Sequence, residues 1–225
     1  MNKKILEWPN SILRKKASPI DLQDASSKKV IEDLLDTFRV VQGYGLAAPQ
    51  IGYSKRALVV SPMALGMSSG EEQLLMINPV IKTFGDIVRS QEACFSVPEI
   101  SVTVKRSSKC EVSFLDAGGT SHKLELEGLP AFCVQHEVDH LDGKVTLDKV
   151  SQMARHHHLK RRKKQREARL KIERELRQEF ENDHDIYANG AEGRPKRKSK
   201  LSKDKKRAQR LARKLNYKSK KKRRK

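Results

Sequence analysis

The chain has 225 residues and a formal net charge of +20, and the whole excess lies at one end. Residues 1–150 hold 18 basic and 19 acidic side chains, whereas residues 151–225 hold 30 and 9. This distribution indicates a near-neutral globular domain, long enough to bury most of the surface of its unfolded chain, joined to a basic tail.

The composition also excludes several classes of protein. No apolar run approaches the ~18–20 residues that a membrane span needs. The first ten residues carry two lysines with no apolar stretch after them, which is not the pattern of a signal peptide. Three widely spaced cysteines, an odd number, argue against a disulfide framework and for a reducing compartment. We therefore expect a cytoplasmic protein that does not bind a membrane.

Helical and strand-like patterns follow one another along the domain. Residues 1–24 predict an irregular arm, and the apolar spacing over 26–41 predicts a helix. The glycines and the proline of residues 43–52 then break the pattern. Short apolar runs, separated by loops rich in glycine, serine and proline, predict strands over 57–60, 74–81, 100–104, 110–115 and 123–126.

A second helix is predicted near the end of the domain. Pro130 is suited to its first turn, where the missing N–H costs nothing, and Gly143 is placed to end it after Leu141. A helix, several strands and then a helix form an α+β pattern, because a parallel sheet would need strands and helices in alternation. We expect antiparallel or mixed sheets around this second helix.

The second helix carries two histidines at helical spacing. His136 and His140 are four residues apart, so they project from one face of the helix, one turn apart. Both imidazoles can reach one metal ion, and Glu137 can act as general base toward a metal-activated water, as in the H-E-x-x-H arrangement. Two surface histidines are the alternative. The apolar neighbours in the helix favour the metal site.

A catalytic metal site needs a third protein ligand and an open position. Cys94, Cys110, Cys133 and several carboxylates are candidates outside the histidine pair. Cys110 lies in a strand-like run and is most simply a small buried apolar residue. Cys133 shares the face of His136 and is either core or pocket lining. Cys94 lies in a turn of small residues between strands, and composition alone favours a buried core cysteine there.

Three segments together closely resemble the signature motifs of the peptide deformylase family. They are, in chain order, residues 43–52 (GYGLAAPQIG), 92–96 (EACFS) and 135–140 (QHEVDH). Residues 5–19 are also similar to the amino-terminal arm of that family, so the resemblance covers roughly residues 3–150. It implies a metallohydrolase that removes the formyl group from N-formylmethionine of nascent polypeptides and releases formate.

The resemblance also implies a role for individual residues. Cys94, His136 and His140 are the metal ligands, and water fills the fourth position. The expected ion is Fe²⁺, with Ni²⁺, Co²⁺ or Zn²⁺ able to replace it. Glu137 is the general base, which takes a proton from the attacking water and gives it to the leaving amine. The family pattern assigns the stabilisation of the oxyanion to the Gln50 amide and the backbone N–H of Phe95.

The remaining candidates are predicted to bind the substrate. Gly43 and Gly45 let the chain approach a ligand closely, and Gly45 would bond the substrate backbone as an added strand does. Tyr44, Leu129, Phe132 and Cys133 are candidates for an apolar pocket that takes the methionine side chain. Plain core packing is the alternative for each of these four.

Four positions depart from the usual motifs of the family. Ala93 replaces a glycine and Phe95 replaces a leucine, so the pocket wall should differ while the backbone N–H remains. Gln42 and Ser101 stand where many bacterial members have an acidic residue and an arginine. Since both partners of that ion pair are replaced together, neither charge is left alone. How this chain holds the substrate residues beyond methionine is therefore open.

The tail has its own pattern. Residues 151–181 predict a solvated basic helix, and residues 182–225 predict a flexible, highly basic end. The consecutive histidines 156–158 do not share a helix face, so we expect no common metal site there. The charge of the tail indicates a polyanion as partner. Because the resemblance implies a substrate on nascent chains, we expect ribosomal RNA, with DNA or a tail that only increases solubility as the alternatives. We also expect a monomer, since the basic tails of two copies would repel each other.

Two other functions compete with this reading. A zinc peptidase would also have the H-E-x-x-H helix, but it would not need residues 43–52 or a thiolate ligand. A nucleic-acid-binding protein on an inactive scaffold would have the same tail. The presence of Cys94, His136, Glu137 and His140 argues against an inactive scaffold.

Overall fold

The computed structural model describes residues 2–68 and 72–188, and the side chains of its last helix as far as residue 178. These ranges contain α1 (Ala25–Val41), α2 (Leu129–Leu141) and α3 (Gln152–Ala188). They also contain the strands β1 (Gly45–Ala47), β2 (Ala57–Val60), β3 (Leu74–Cys94), β4 (Val97–Leu115) and β5 (Ser121–Glu127). The five strands form one antiparallel sheet in the order β1-β2-β3-β4-β5. The predicted α+β class is confirmed.

Local signals at the ends of α1 and α2 explain why the two predicted helices are confirmed. The Asp24 carboxylate accepts a hydrogen bond from the Ser26 N–H at 2.8 Å and caps α1. Gly143 follows α2 with a φ of 73°, and a Cβ there would lie 2.6 Å from the Arg14 carbonyl oxygen. Only glycine allows both that backbone angle and the close passage of the amino-terminal arm.

The predicted run 57–60 coincides with β2, but the other predicted strands were too short. The run 74–81 is only the first part of β3, and the runs 100–104 and 110–115 both belong to β4. The middle of β3 is exposed on both faces, so it lacks the apolar alternation that marks a half-buried strand. The pairing of β3 with β4 also shifts register between Phe84 and Ile87, where Gly85 has a φ of 76°.

One edge of β3 is only partly covered. The neighbour on that side, β2, pairs with β3 over Leu74–Ile77. Beyond that point, the ladders of the described ranges join β3 to β4 alone. Lys82 and Asp86 lie along this stretch with the exposed Ile87, on either side of the bulge at Gly85.

Helix α2 lies in the middle of the core. Its buried Val134, Val138 and Leu141 pack in one cluster with Leu58 of β2 and Val112 of β4. A second cluster joins α1 to β1 and β2, and a third surrounds Cys94 with apolar residues of β4. The helix with the two histidines is therefore held by the sheet, as predicted for a central metal-binding helix.

The chain forms two compact units, divided between Ala168 and Arg169. The first unit includes the first turns of α3, where Leu159 packs against the cluster around Cys94. In the second unit, the described residues from Arg169 are helical and mostly exposed. The boundaries predicted at residues 150 and 181 stay predictions, and the flexible end predicted for 182–225 lies mostly outside the described residues. No described helix is both long and apolar enough to cross a membrane.

Candidate metal centre

Three predicted ligands from two elements meet in the structure. Cys94 is the last residue of β3, and His136 and His140 lie one turn apart on α2. The Cys94 sulfur lies 3.2 Å from Nε2 of His140, and the ligand atoms of all three residues lie within 4.8 Å of one another. Ligands at ~2.0–2.3 Å from one ion need separations of this order. The spacing of the histidines and the turn at Cys94 therefore produce one compact group.

The electrostatics of this group favour a thiolate. Burial alone would raise the pKa of the Cys94 thiol, but the imidazoles of His140 and His136 outweigh it and hold the pKa well below its usual value. The pKa of His136 is raised, because its hydrogen bonds to Cys94 and Glu92 outweigh the effect of burial. One sulfur and two imidazole nitrogens form a donor set typical of transition metals.

A carboxylate that the sequence analysis missed orients one of the histidines. The Glu92 carboxylate accepts a hydrogen bond from Nδ1 of His136 at 2.9 Å, which leaves Nε2 of that ring for a metal. Arg106 of β4 binds both oxygens of Glu92, at 2.8 and 2.9 Å, and also binds Asp139. These bonds outweigh burial, which alone would raise the pKa of Glu92, and lower that pKa to about 2.

Arg106 thus joins Glu92 and Asp139 in one network of ion pairs. One member of this network could be suspected from the sequence, because Glu92 is the first residue of the segment 92–96 that contains Cys94. The identity of Arg106 depends on the pairing of β3 with β4, in which Glu92 lies opposite Val102. That register is not visible in the sequence. Lys149 adds a second cation to Asp139, at 2.8 Å.

Glu137 is buried beside the three ligands. Burial raises the pKa of its carboxyl, although the two imidazoles oppose this effect. Its Oε2 has no hydrogen-bond partner among the described residues. A Cβ on Gly45 would lie 2.5 Å from its Oε1, so β1 approaches the carboxylate as closely as it does only because residue 45 is glycine.

The candidate oxyanion donors lie close to Cys94. The Gln50 side chain is buried, and its Oε1 accepts a hydrogen bond from the Ala47 N–H at 2.8 Å. This bond turns the Gln50 amide nitrogen toward Cys94 Sγ at 3.8 Å and Ser96 Oγ at 3.3 Å. Phe95 follows Cys94 directly, so its backbone N–H is adjacent in the chain to the thiolate.

The predicted substrate-binding residues divide into two groups. Tyr44 and Leu129 are 49% and 47% exposed, so they are available at the surface rather than packed in the core. Cys133 is half-buried, and burial raises the pKa of its thiol to about 12, so it is not a second thiolate. A Cβ on Gly43 would overlap the Phe95 ring, which therefore covers this glycine. Gln42 and Ser101, the two residues that replace the usual ion pair of the family, are both exposed.

Comparison with known proteins identifies the family. The family model described as polypeptide deformylase matches residues 2–156. The chain belongs to the polypeptide deformylase family. A peptide deformylase from Pelagibacter ubique is 38% identical over 155 residues, which cover 67% of this chain and 87% of that protein.

Solved structures agree with this assignment. The crystal structure of a peptide deformylase from Legionella pneumophila has a TM-score of 0.68 at 36% identity, over 76% of this chain and 98% of that one. A Met-Ala-Ser-bound peptide deformylase from Acinetobacter baumannii has a TM-score of 0.60 at 28% identity, over 67% and 99% of the two chains.

Family membership confirms the predicted metallohydrolase and removes the zinc-peptidase alternative. The roles given to single residues, and the identity of the metal, stay predictions. The residues present fit a bound divalent ion, since the thiolate and two imidazoles converge beside a buried carboxyl oxygen that has no partner among the described residues.

Proposed function

We propose that this chain removes the formyl group from N-formylmethionine at the start of nascent polypeptides and releases formate. The observation that carries the proposal is the meeting of Cys94, His136 and His140 beside the buried carboxyl of Glu137. Cys94, His136 and His140 would hold the ion. When bound, a divalent metal supplies a Lewis acid that activates water for attack on the formamide carbonyl.

Glu137 would move the proton. Its buried carboxylate takes the proton of the attacking water and gives it to the leaving amine of methionine. A pKa raised by burial suits this task, because a carboxyl with an ordinary pKa would be too weak a base near neutral pH. The unpaired Oε2 is the atom available for this transfer.

Gln50 and the backbone N–H of Phe95 would bind the oxygen on which negative charge develops. Gln50 is already oriented by the Ala47 N–H, so its amide nitrogen need not reorganise during the reaction. Donors fixed in this way stabilise the transition state more than the substrate.

The peptide would bind as an added strand along β1. This strand is at one end of the sheet order, next to Glu137, and Gly43 and Gly45 lie at its start. The exposed Tyr44 and Leu129 and the half-buried Cys133 would line the methionine pocket. A peptide deformylase of the same fold with Met-Ala-Ser bound supports a substrate of this kind.

Fe²⁺ is the ion we propose, with Ni²⁺, Co²⁺ or Zn²⁺ as replacements. A thiolate and two imidazoles suit any of these four. A thiolate beside a redox-active ion is open to oxidation, so the iron form should lose activity in air while the nickel and cobalt forms persist. Equal lifetimes for all metal forms would argue against iron.

The basic carboxy-terminal segment, residues 151–225, would bind ribosomal RNA and bring the enzyme to nascent chains in the cytoplasm. Support comes from its charge and from the exposed basic side chains of α3, among them Lys160, Lys163, Lys164 and Arg166. Co-sedimentation with ribosomes should fall steeply with added salt for the full chain. A cut after Ala168 keeps Lys160, Lys163, Lys164 and Arg166, so it should weaken the binding and make its salt dependence shallower. Binding that ignores salt, or that the cut leaves unchanged, would overturn this role. A monomer in solution is expected.

Formate release from formyl-Met-Ala-Ser is the decisive measurement for the activity. The purified, iron-loaded full chain should release one formate per peptide, and the Cys94→Ala variant should release none. A full chain that binds metal but hydrolyses no formylated peptide would favour the inactive, nucleic-acid-binding scaffold instead.

A further inference from the structure

The amino-terminal arm joins the two segments that carry the candidate oxyanion donors. The Leu6 N–H donates to the Gln50 carbonyl at 2.7 Å, and the Trp8 N–H donates to the Ser96 carbonyl at 2.8 Å. Gln50 and Ser96 are 46 residues apart in the chain. The arm thus fixes the main chain at Gln50 and directly after Phe95.

Arg162 of α3 holds the arm at this point. Its side chain is 9% exposed, and its guanidinium donates to the Trp8 carbonyl at 3.2 Å and to the Glu7 carboxylate at 2.6 Å. Trp8 makes the second of the two backbone bonds of the arm, and Glu7 lies between Trp8 and Leu6, which makes the first. A charged group this deeply buried costs free energy unless it is paired, and its two hydrogen bonds within the described residues both go to the arm.

Two other residues in the first turns of α3 also lie near the arm. The Arg155 guanidinium lies 5.4 Å from the centre of the Trp8 ring. Leu159 and Trp8 pack against the same apolar cluster, which also contains Cys94. The arm is therefore enclosed between α3 and the cluster beneath the metal ligands.

We propose that Arg162 is a positioning residue for deformylation. By holding Glu7 and Trp8, it fixes the arm that sets the distance between Gln50 and the N–H of Phe95. The inference rests on the proposed function, from which the two donors are taken. It gives Arg162 a different task from its exposed neighbours Arg161 and Lys163, which face solvent and are free to meet an anion.

The test compares two matched variants of the full chain, Arg162→Met and Arg161→Met. Each removes one positive charge from the same turn of α3, and the second does so at an exposed position. Trp8 is the only tryptophan of the chain, so its fluorescence reports on the arm without a label. Formate release from formyl-Met-Ala-Ser gives kcat and KM, and the bound metal is measured for each protein.

Arg162→Met should lower kcat about 10-fold, at unchanged KM and metal content, because misplaced donors act on the transition state. The Trp8 emission should shift to longer wavelength as the arm leaves the cluster. Arg161→Met should change neither kcat nor the Trp8 emission. Arg162→Lys should have a higher kcat than Arg162→Met, because it keeps the positive charge.

Three results would overturn the inference: a shifted emission with unchanged kcat, an unshifted emission in Arg162→Met, or equal losses in Arg161→Met. A fall in melting temperature with kcat intact well below that temperature would show a structural role only, and would also overturn it. If Arg162→Met fails to fold, Glu7→Gln is the second variant, because it removes the charge of the partner of Arg162 at a half-exposed position. It should also lower kcat and shift the Trp8 emission to longer wavelength. A wild-type chain that releases no formate refutes the proposed function itself, while the emission still decides whether Arg162 holds the arm.

Discussion

Among the residues that the structure describes, helices α2 and α3 both carry histidines, but α2 alone gathers them into a candidate metal site. In α2, His136 and His140 are four residues apart, and their ligand atoms lie within 4.8 Å of each other and of Cys94 Sγ. In α3, residues 156–158 are consecutive, so their side chains spread around the helix, and the ring centres of His157 and His158 lie 6.2 Å apart. The difference indicates that spacing, burial and a carboxylate hydrogen-bonded to the ring favour a candidate metal site, whereas the number of histidines does not.

Removing a ligand from α2 should have the largest effect. His140→Ala should lose its bound metal and all deformylation, because two remaining ligands hold a transition metal poorly. The triple change of His156, His157 and His158 to alanine should keep both. Metal content per chain and formate release measure the two variants side by side. If the triple variant also loses its metal, the comparison of the two helices is wrong.

Glu137→Gln separates the metal site from the chemistry. The glutamine keeps the shape of the side chain and all three ligands, but it cannot accept the proton, so kcat should fall by about 10²–10⁴-fold. Metal content should stay at the wild-type level. Near-normal turnover would remove Glu137 from its assigned role.

Glu92→Gln probes the carboxylate behind His136. Loss of this orienting partner should weaken metal affinity by about 10–100-fold. Competition with a chelator measures the affinity, and Glu125→Gln on the exposed face of β5 is the matched control. An affinity equal to that of the control would mean that the bond at 2.9 Å contributes nothing to metal binding.

Gly45→Ala should disturb Glu137 without touching a ligand. The new Cβ would lie 2.5 Å from the carboxylate oxygen, so the side chain must move. We expect kcat to fall about 10-fold, since a small misplacement of a reacting group is costly. Gly118→Ala, in the exposed hairpin turn, should leave kcat unchanged. Equal kinetics for the two variants would show that Glu137 tolerates displacement.

The smallest effect concerns stability and pH. Because burial raises the pKa of Glu137, folding takes up protons at this group, and its charged form destabilises the metal-free fold above that raised pKa. Metal-free Glu137→Gln should therefore melt at a higher temperature than the wild type at pH 7. The difference should shrink as the pH falls toward the ordinary carboxyl pKa of 4.5 and vanish below it, where the glutamate is protonated in the unfolded chain as well as in the fold. A difference independent of pH would point to another cause.

Local signals were enough to predict α1 and α2, because Pro130, Gly143 and the apolar spacing each act within a few residues. The ligand group was also predictable, since His136 and His140 share a helix face and the segment around Cys94 matches a family motif. The length of β3 was not, because the side chains around Gly85 are exposed on both faces and show no alternation. Sequence patterns do not report contacts between distant segments.

Arg106 and Arg162 illustrate that limit. Each is one arginine among many in the sequence, and the tail alone supplies a long series of basic residues. Arg106 acquires its role from the register between β3 and β4, which brings it to Glu92. Arg162 acquires its role from a bond to Glu7, 155 residues away in the chain. Only the folded chain distinguishes these two from the solvated charges around them.

The half-covered edge of β3 bears on how such a protein survives among unfolded chains. Extended polypeptides add readily to open sheet edges, and this is a common route to aggregation. Beyond Ile77, the bulge at Gly85 twists the edge out of register, and Lys82 and Asp86 place charges where a neighbouring strand would lie. An unfolded polypeptide therefore pairs poorly with this edge, so the protein can work near aggregation-prone chains without nucleating their aggregation.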